Sequence, residues 1–159
     1  IGSAHEAMPQ IRGTDLSPAL LLDVLERADD ALARLAGNVR REHGVDGIIL
    51  SNHGGRQLDY AASPIQVLSA AIAEARGMTV MIDSGFRRGT DILKAMALGA
   101  ECVFIGRPFL FAAAFAGQAG VQHAISLAAK EVDRDMAMLG LRRIDEMRPE
   151  LLIEAPAAA

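Results

Sequence analysis

His53 and Arg56 are the side chains of this sequence whose types and spacing best suit chemistry. They stand in the stretch Ser-Asn-His-Gly-Gly-Arg, which follows a short apolar run. A histidine can accept a proton near neutral pH, and an arginine binds a carboxylate through two parallel hydrogen bonds. Gly54 and Gly55 let the backbone turn sharply and lie close to a flat ligand. These residues therefore suit a substrate that carries a carboxylate beside a carbon or hydroxyl that must lose a proton.

Two later stretches, 83–89 and 106–108, combine glycine with arginine. The first is Asp-Ser-Gly-Phe-Arg-Arg-Gly and the second is Gly-Arg-Pro. Glycine lets the backbone approach a ligand, and Arg87, Arg88 or Arg107 offers a cation. Each stretch precedes a predicted helix, whose first amide groups favour an anion. The two stretches predict a phosphate-binding site, whereas the absence of the pattern G-x-G-x-x-G disfavours NAD on a Rossmann domain.

Strands and helices alternate around these stretches. Short apolar runs predict fully buried strands at 48–50, 79–82 and 102–105. Helical spacing predicts helices at 64–76, 90–98, 108–115 and 121–139, then a short helical turn at 142–147 and a frayed tail at 154–159. This order indicates parallel strands joined by right-handed crossovers. Because chemistry in such folds lies at the carboxyl ends of the strands, all three stretches are predicted at one end of the sheet.

The first 44 residues have a different character. Leucine and alanine recur there at helical spacing and predict an amphipathic helix from 19 to about 41, with its charged positions interpreted as a solvated face. Residues 45–159 form the second segment, which holds all three stretches. His5 and His123 have no partner pattern and are interpreted as structural or exposed. Asp59 is interpreted as a cap of the following turn.

The three stretches, taken together, resemble the FMN-dependent 2-hydroxy-acid oxidases and dehydrogenases, the family of glycolate oxidase, L-lactate dehydrogenase and mandelate dehydrogenase. The resemblance is carried by residues 51–59, 82–91 and 105–108, in the right order and spacing, and runs from about 45 to about 154. It implies an α/β fold, a (β/α)8 TIM barrel of which only the C-terminal strands are identifiable. It also implies FMN as cofactor and oxidation of an (S)-2-hydroxy acid to a 2-oxo acid. Electrons would pass from reduced FMN to oxygen or another acceptor.

The resemblance also implies roles for individual residues. His53 would be the active-site base, and Arg56 would bind the substrate carboxylate. Arg88 is instead interpreted as a surface cation at a helix start, and no metal ligand is predicted. The residues expected to contact the flavin, its ribityl chain or its phosphate are Ser51, Asp83, Gly85, Arg87, Gly106 and Arg107.

Composition narrows the classes of partner and location. The chain is 51% hydrophobic and 23% charged, which is ordinary for a soluble globular protein. A net charge of -4 without a basic stripe argues against nucleic acid as a partner. Cys102 is the only cysteine, so no internal disulfide can form, which fits a reducing compartment. We expect a cytoplasmic location, with peripheral membrane association left open, and a homo-oligomer as the resemblance implies.

Three strands are few for a barrel, which takes about 250 residues. The family's earlier strands supply the rest of the flavin site, a carboxylate partner for the histidine and a lysine near the flavin, and none of these is identifiable. Three classes of function therefore stay open. They are part of a hydroxy-acid oxidoreductase, another phosphate-binding barrel enzyme such as a phosphosugar isomerase, and a non-catalytic fragment that serves as an interaction module. We expect residues 1–159 alone to be inactive.

Overall fold

The three strands form a single parallel sheet. The computed structural model describes residues 44–58, 61–75 and 77–153, so the helix predicted within 19–41, the interpretations of His5 and Asp59, and the tail at 154–159 lie outside the described residues. The strands are β1 (Gly47–Leu50), β2 (Thr79–Ile82) and β3 (Cys102–Val103), in the order β1-β2-β3. Both pairings are parallel, as predicted. β3 is shorter than predicted, although the Phe104 N–H still donates to the Ile82 carbonyl at 2.8 Å.

Helices alternate with the strands. They are α1 (Pro64–Ala75), α2 (Gly89–Ala97) and α3 (Arg107–Met138), and short 3-10 turns lie at His53–Gly55, Ile144–Glu146 and Pro149–Leu151. α3 bends at Ala116 and Gly117, whose backbone angles are not helical. The stretch is therefore two helical segments that meet at this kink, in agreement with the helices predicted at 108–115 and 121–139. None of the helices in the described ranges combines the length and apolar character needed to cross a membrane.

The core lies on one face of the sheet. Successive side chains of a strand point to opposite faces, so Val80 and Ile82 of β2 share a face. Both are almost fully buried, at 2% and 0% exposure. Ile48 and Leu50 of β1 pack against the same cluster. The buried members of this cluster are Leu68, Ala75, Met78, Val80, Ile82, Phe86, Ala95 and Ala100.

The opposite face of the sheet is uncovered. Ile49, Met81 and Cys102 are in register there, and Phe104 follows on the same side. Ile49 is 52% exposed, Phe104 is 42% exposed and Cys102 is also exposed. The prediction that β1 and β3 are fully buried is therefore wrong for this face, because no described element packs on it. We call Ile49, Met81, Cys102 and Phe104 the open sheet face.

The start of α2 is occupied by carboxylates of the chain itself. Asp91 Oδ2 accepts the N–H groups of Arg87 and Arg88, each at 3.0 Å. Glu131 on α3 accepts the Gly89 N–H at 2.8 Å and the Arg88 Nε–H at 2.8 Å. These bonds supply the negative charge that a helix N-terminus favours. The amides of Arg87, Arg88 and Gly89, at the start of α2, thus bind carboxylates of the chain.

Gly89 makes this contact between α2 and α3 possible. A Cβ atom at Gly89 would lie 2.5 Å from the Glu131 Cβ and 2.6 Å from the Val132 backbone nitrogen, so a larger residue would push the helices apart. The hydrogen bond from Arg88, with that from the Gly89 N–H, holds the pKa of Glu131 below its usual value. The hydrogen bond between Arg88 and Glu131 also raises the pKa of Arg88. Arg88 lies at the helix start and is exposed, as predicted.

Candidate active site

The three predicted stretches meet at the carboxyl edge of the sheet. Leu50, Ile82 and Val103 are in register at the ends of β1, β2 and β3. Ser51 follows the first of these strands directly, and the second and third stretches begin just beyond the other two. Because the strands are parallel, all three stretches leave the sheet at the same edge, as predicted.

The backbone at 53–55 forms an unusual left-handed turn. His53, Gly54 and Gly55 have φ values of 57°, 67° and 72°. Glycine adopts this region freely, whereas a residue with a Cβ atom pays roughly 1–2 kcal/mol. Holding His53 in such a conformation requires compensating contacts from its surroundings.

Two polar residues at the start of the turn supply such contacts. The Ser51 Oγ accepts the His53 N–H at 3.1 Å. The Gly55 N–H donates to the carbonyl oxygen of Asn52 at 3.1 Å and to its Oδ1 at 3.2 Å. The Asn52 side-chain amide in turn donates to the Ala62 carbonyl at 3.2 Å. The turn is therefore fixed from within its own loop at two of its three N–H groups.

The third N–H group is held by another loop. The Gly54 N–H donates to the Ser84 Oγ at 3.1 Å, and the Ser84 hydroxyl donates to Asp83 Oδ1 at 2.6 Å. On its other side, the Gly54 carbonyl accepts a hydrogen bond from Arg107 Nη2 at 3.2 Å. A Cβ atom at Gly54 would lie 2.6 Å from this Nη2 atom, so glycine is needed for the approach. The loops after β2 and β3 thus both form hydrogen bonds with the turn that carries His53.

The side chains of His53 and Arg56 are open to a ligand. Both residues are exposed, and Arg56 directly follows the left-handed turn. Neither side chain hydrogen-bonds to another residue within the described ranges. A fixed backbone that carries a free imidazole and a free guanidinium can bind an anionic substrate and accept a proton from it.

The loop after β3 offers an open anion position. Gly106 is the N-cap of α3, and Arg107 is the first helical residue. The backbone N–H groups of Gly106 and Arg107 have no acceptor in the part of the chain that the structure describes, and nothing lies within 4 Å of a Cβ placed on Gly106. Gly85 is similarly open, and the Arg87 side chain is exposed. Unpaired amides at a helix N-terminus are the groups that bind phosphate.

Direct bonds join only some of the predicted site residues. Ser51 bonds to the His53 backbone and Arg107 to Gly54, whereas Arg56 and Arg87 share the edge without a described side-chain bond to another site residue. Sequence reasoning missed Ser84. A usable signal was its hydroxyl, which comes directly after Asp83 at the end of a predicted strand. Among the described residues, no group of three His, Cys, Asp or Glu side chains could hold a metal ion.

Comparisons with known proteins agree with the fold and the motifs. The model of the FMN-dependent dehydrogenase family matches residues 26–154. The (S)-mandelate dehydrogenase of Pseudomonas putida is 46% identical over 148 residues, which are 92% of this chain and 35% of that protein. The L-lactate dehydrogenase (cytochrome) of Wickerhamomyces anomalus is 43% identical over 139 residues, 84% of this chain and 23% of that protein.

A solved structure gives the same result for the fold. The structure of an oxidized active mutant of (S)-mandelate dehydrogenase is similar with a TM-score of 0.68 and 37% identity, covering 88% of this chain and 46% of that one. The chain thus spans well under two thirds of the length of each of these proteins. The described strands and helices are part of a (β/α)8 barrel, as predicted. By its motifs, its fold and these matches, the chain belongs to the FMN-dependent dehydrogenase family.

Proposed function

We propose that this chain supplies the base, the carboxylate-binding arginine and the phosphate-binding loops of an FMN-dependent enzyme that oxidises an (S)-2-hydroxy acid to a 2-oxo acid. Membership of the family supports FMN as the cofactor. The names of the relatives, which include mandelate, lactate and glycolate enzymes, support a small 2-hydroxy acid as the substrate. The observation that carries the proposal is the fixed turn at 53–55, which presents His53 and Arg56 beside the loop of Gly106 and Arg107.

Arg56 binds the substrate carboxylate in this proposal. Its side chain is exposed and makes no described hydrogen bond, so both edges of the guanidinium are available. A bidentate pair fixes the direction of the carboxylate as well as its position. The carbon that bears the hydroxyl is then presented toward the histidine at the start of the same turn.

His53 accepts a proton from the bound hydroxy acid. Its imidazole is exposed at the carboxyl edge of the sheet, and its backbone N–H is held by Ser51. An imidazole can accept a proton from a bound substrate, which suits a general base. The fixed backbone reduces the number of positions that the imidazole can take and favours proton transfer.

The residues at the loops after β2 and β3 suit the FMN phosphate. The free N–H groups of Gly106 and Arg107 and the exposed Arg87 side chain match an anion, while the space at Gly85 and Gly106 lets a ligand approach the backbone. Ser51 and Asp83 lie at the same edge and are proposed to contact the flavin and its ribityl chain. Bound FMN would supply the two-electron acceptor and later pass electrons to oxygen or another acceptor.

Anaerobic mixing tests this function. The full-length, flavin-loaded protein is mixed with lactate, glycolate or mandelate, and the visible flavin absorption is followed. We expect bleaching with at least one of them, and colour that returns with oxygen or with an added acceptor. A protein that carries flavin but is bleached by no 2-hydroxy acid would contradict the proposal, and a protein that binds phosphosugars without flavin would favour another barrel enzyme.

A further inference from the structure

Ser84 joins the loop after β2 to the turn after β1 through its side chain. Its Oγ accepts the Gly54 N–H at 3.1 Å and donates to Asp83 Oδ1 at 2.6 Å. A serine hydroxyl has one proton and two lone pairs, so a proton directed to Asp83 leaves the oxygen free to accept from Gly54. Asp83 therefore sets the orientation of the hydroxyl, and the hydroxyl holds the amide that follows His53.

The backbone conformation marks the same pair of loops. His53 and Ser84 are the two residues other than glycine with positive φ within the described ranges, at 57° and 74°. Such conformations persist where surrounding contacts over-determine them, and they cluster at functional sites. Here the Gly54 amide, which follows His53, donates to the side chain of Ser84.

The bond from Ser84 differs from the bonds that Ser51 and Asn52 make to the turn. Ser51 and Asn52, which accept the N–H groups of His53 and Gly55, belong to the same loop as the turn. These local bonds set the shape of the turn but leave its direction relative to β2 free. The Ser84 bond spans 30 positions of sequence and, together with the bond from Arg107 to the Gly54 carbonyl, fixes that direction.

We propose that Ser84 is a positioning residue for His53, whose imidazole it holds at one place above the carboxyl edge of the sheet through the Gly54 amide. The proposal rests on the proposed function, in which His53 is the base. Ser84 does not transfer the substrate proton, because its own proton lies in the bond to Asp83. Its loss should therefore slow the chemical step and leave flavin content and substrate binding nearly unchanged.

Two variants separate positioning from folding. Ser84→Gly removes the hydroxyl and also relieves the left-handed strain, so the fold should not lose stability. Ser84→Ala removes the hydroxyl and keeps the strain. Ser69→Ala is the matched control, because Ser69 is exposed on α1 and its side chain makes no described hydrogen bond. All are made in the full-length, flavin-loaded protein.

Two measurements are made on each variant. Hydrogen–deuterium exchange reports the protection of the segment 52–56, and anaerobic mixing gives the rate of flavin reduction per bound flavin. We expect both Ser84 variants to lose protection in this segment and to reduce flavin at least about tenfold more slowly at saturating substrate, since small displacements of a reacting group are costly. KM and flavin content should stay near the parent values, and Ser69→Ala should match the parent throughout.

Three outcomes decide the matter. Parental exchange and parental reduction in Ser84→Gly would overturn the proposal. A slower rate explained wholly by lost flavin or a lower melting temperature would also overturn it, because it would show a structural role. If 2-hydroxy acids do not reduce the flavin of the unmodified protein, the proposed function fails, and exchange at 52–56 in Ser84→Gly still tests whether Ser84 holds the turn.

Discussion

The guanidinium of Arg107 donates a hydrogen bond from Nη2 to the carbonyl oxygen of Gly54 at 3.2 Å. This bond joins the first residue of α3 to the turn that carries His53. Arg107 also supplies one of the unpaired backbone N–H groups at the proposed phosphate position. Arg107 therefore contributes both to the order of the turn and to the proposed phosphate position.

Replacing Arg107 with alanine should weaken FMN binding by about tenfold to a hundredfold, because it removes a guanidinium whose remaining donors can bond the phosphate, and a hydrogen bond to a charged group contributes roughly 1.5–3 kcal/mol. Titration of the apoprotein with FMN, followed by fluorescence quenching, measures the change. Arg142→Ala is the control, since Arg142 is exposed in the segment after α3 and its side chain makes no described bond. Equal affinity in the two variants would contradict the assignment.

Arg56→Lys should lower kcat/KM for 2-hydroxy acids by about tenfold or more, because a point-charge ammonium cannot replace two parallel hydrogen bonds to a carboxylate. Steady-state kinetics in the full-length protein measure this loss, with flavin content checked in parallel. Arg142→Lys serves as the matched control. An Arg56→Lys enzyme with parental catalytic efficiency would show that the carboxylate binds elsewhere.

His53→Gln should keep FMN bound and slow flavin reduction by about 100-fold to 10,000-fold, the usual contribution of general-base assistance. His53→Asn is a useful companion, because asparagine tolerates the left-handed backbone of this position. Similar losses in both variants would point to the missing base and not to backbone strain. His123→Gln, on an exposed position of α3, is the control. Flavin reduction at the parental rate in either His53 variant would refute the role.

Glu131→Gln should destabilise the contact between α2 and α3. The bonds from Arg88 and Gly89 lower the pKa of Glu131, so their stabilisation is fully present above the usual carboxyl pKa of about 4.3 and is lost as the pH falls through the lowered value. We expect urea unfolding near neutral pH to show lower stability for Glu131→Gln and a weaker dependence on acid than the parent. Glu150→Gln, at an exposed position without a described bond, is the control. Equal acid dependence in Glu131→Gln and the parent would contradict this.

The chain of residues 1–159 by itself should bind FMN poorly and oxidise no hydroxy acid. Three strands carry the proposed phosphate position, but ligand sites usually bury about 70–90% of a ligand, and with one sheet face open a bound flavin ring would lack most of its enclosing wall. Expression of this chain and titration with FMN measure the affinity directly. Tight, stoichiometric binding together with oxidation of lactate, glycolate or mandelate would contradict the expectation.

The sequence predicted the strands and helices well, because their signals are local. The bounds of β2 match the prediction, and α1 and α2 differ from it by single residues at their ends. Burial was predicted less well. Ile49 and Cys102 stand in apolar runs yet are exposed, since burial depends on which other elements cover the sheet and not on the strand alone.

The candidate site was predictable to the level of its loops. The apolar runs that precede His53 and Arg107 place both residues at strand ends, so their shared edge follows from parallel topology. The bond between Arg107 and Gly54 depends on how the loops after β1 and β3 are positioned relative to each other. The bonds from Gly54 to Ser84 and to Arg107 join residues 30 and 53 positions apart, and no local pattern encodes them.

Cys102 gives the open sheet face a further use. It is the only sulfhydryl of the chain, and it lies exposed in register with Met81 and Ile49. In a closed barrel, side chains on this face of the strands point inward. The reactivity of that one sulfur therefore reports whether the ring of strands is closed around it. The reactivity of Cys102 can therefore be used to measure barrel closure in the absence of flavin and substrate.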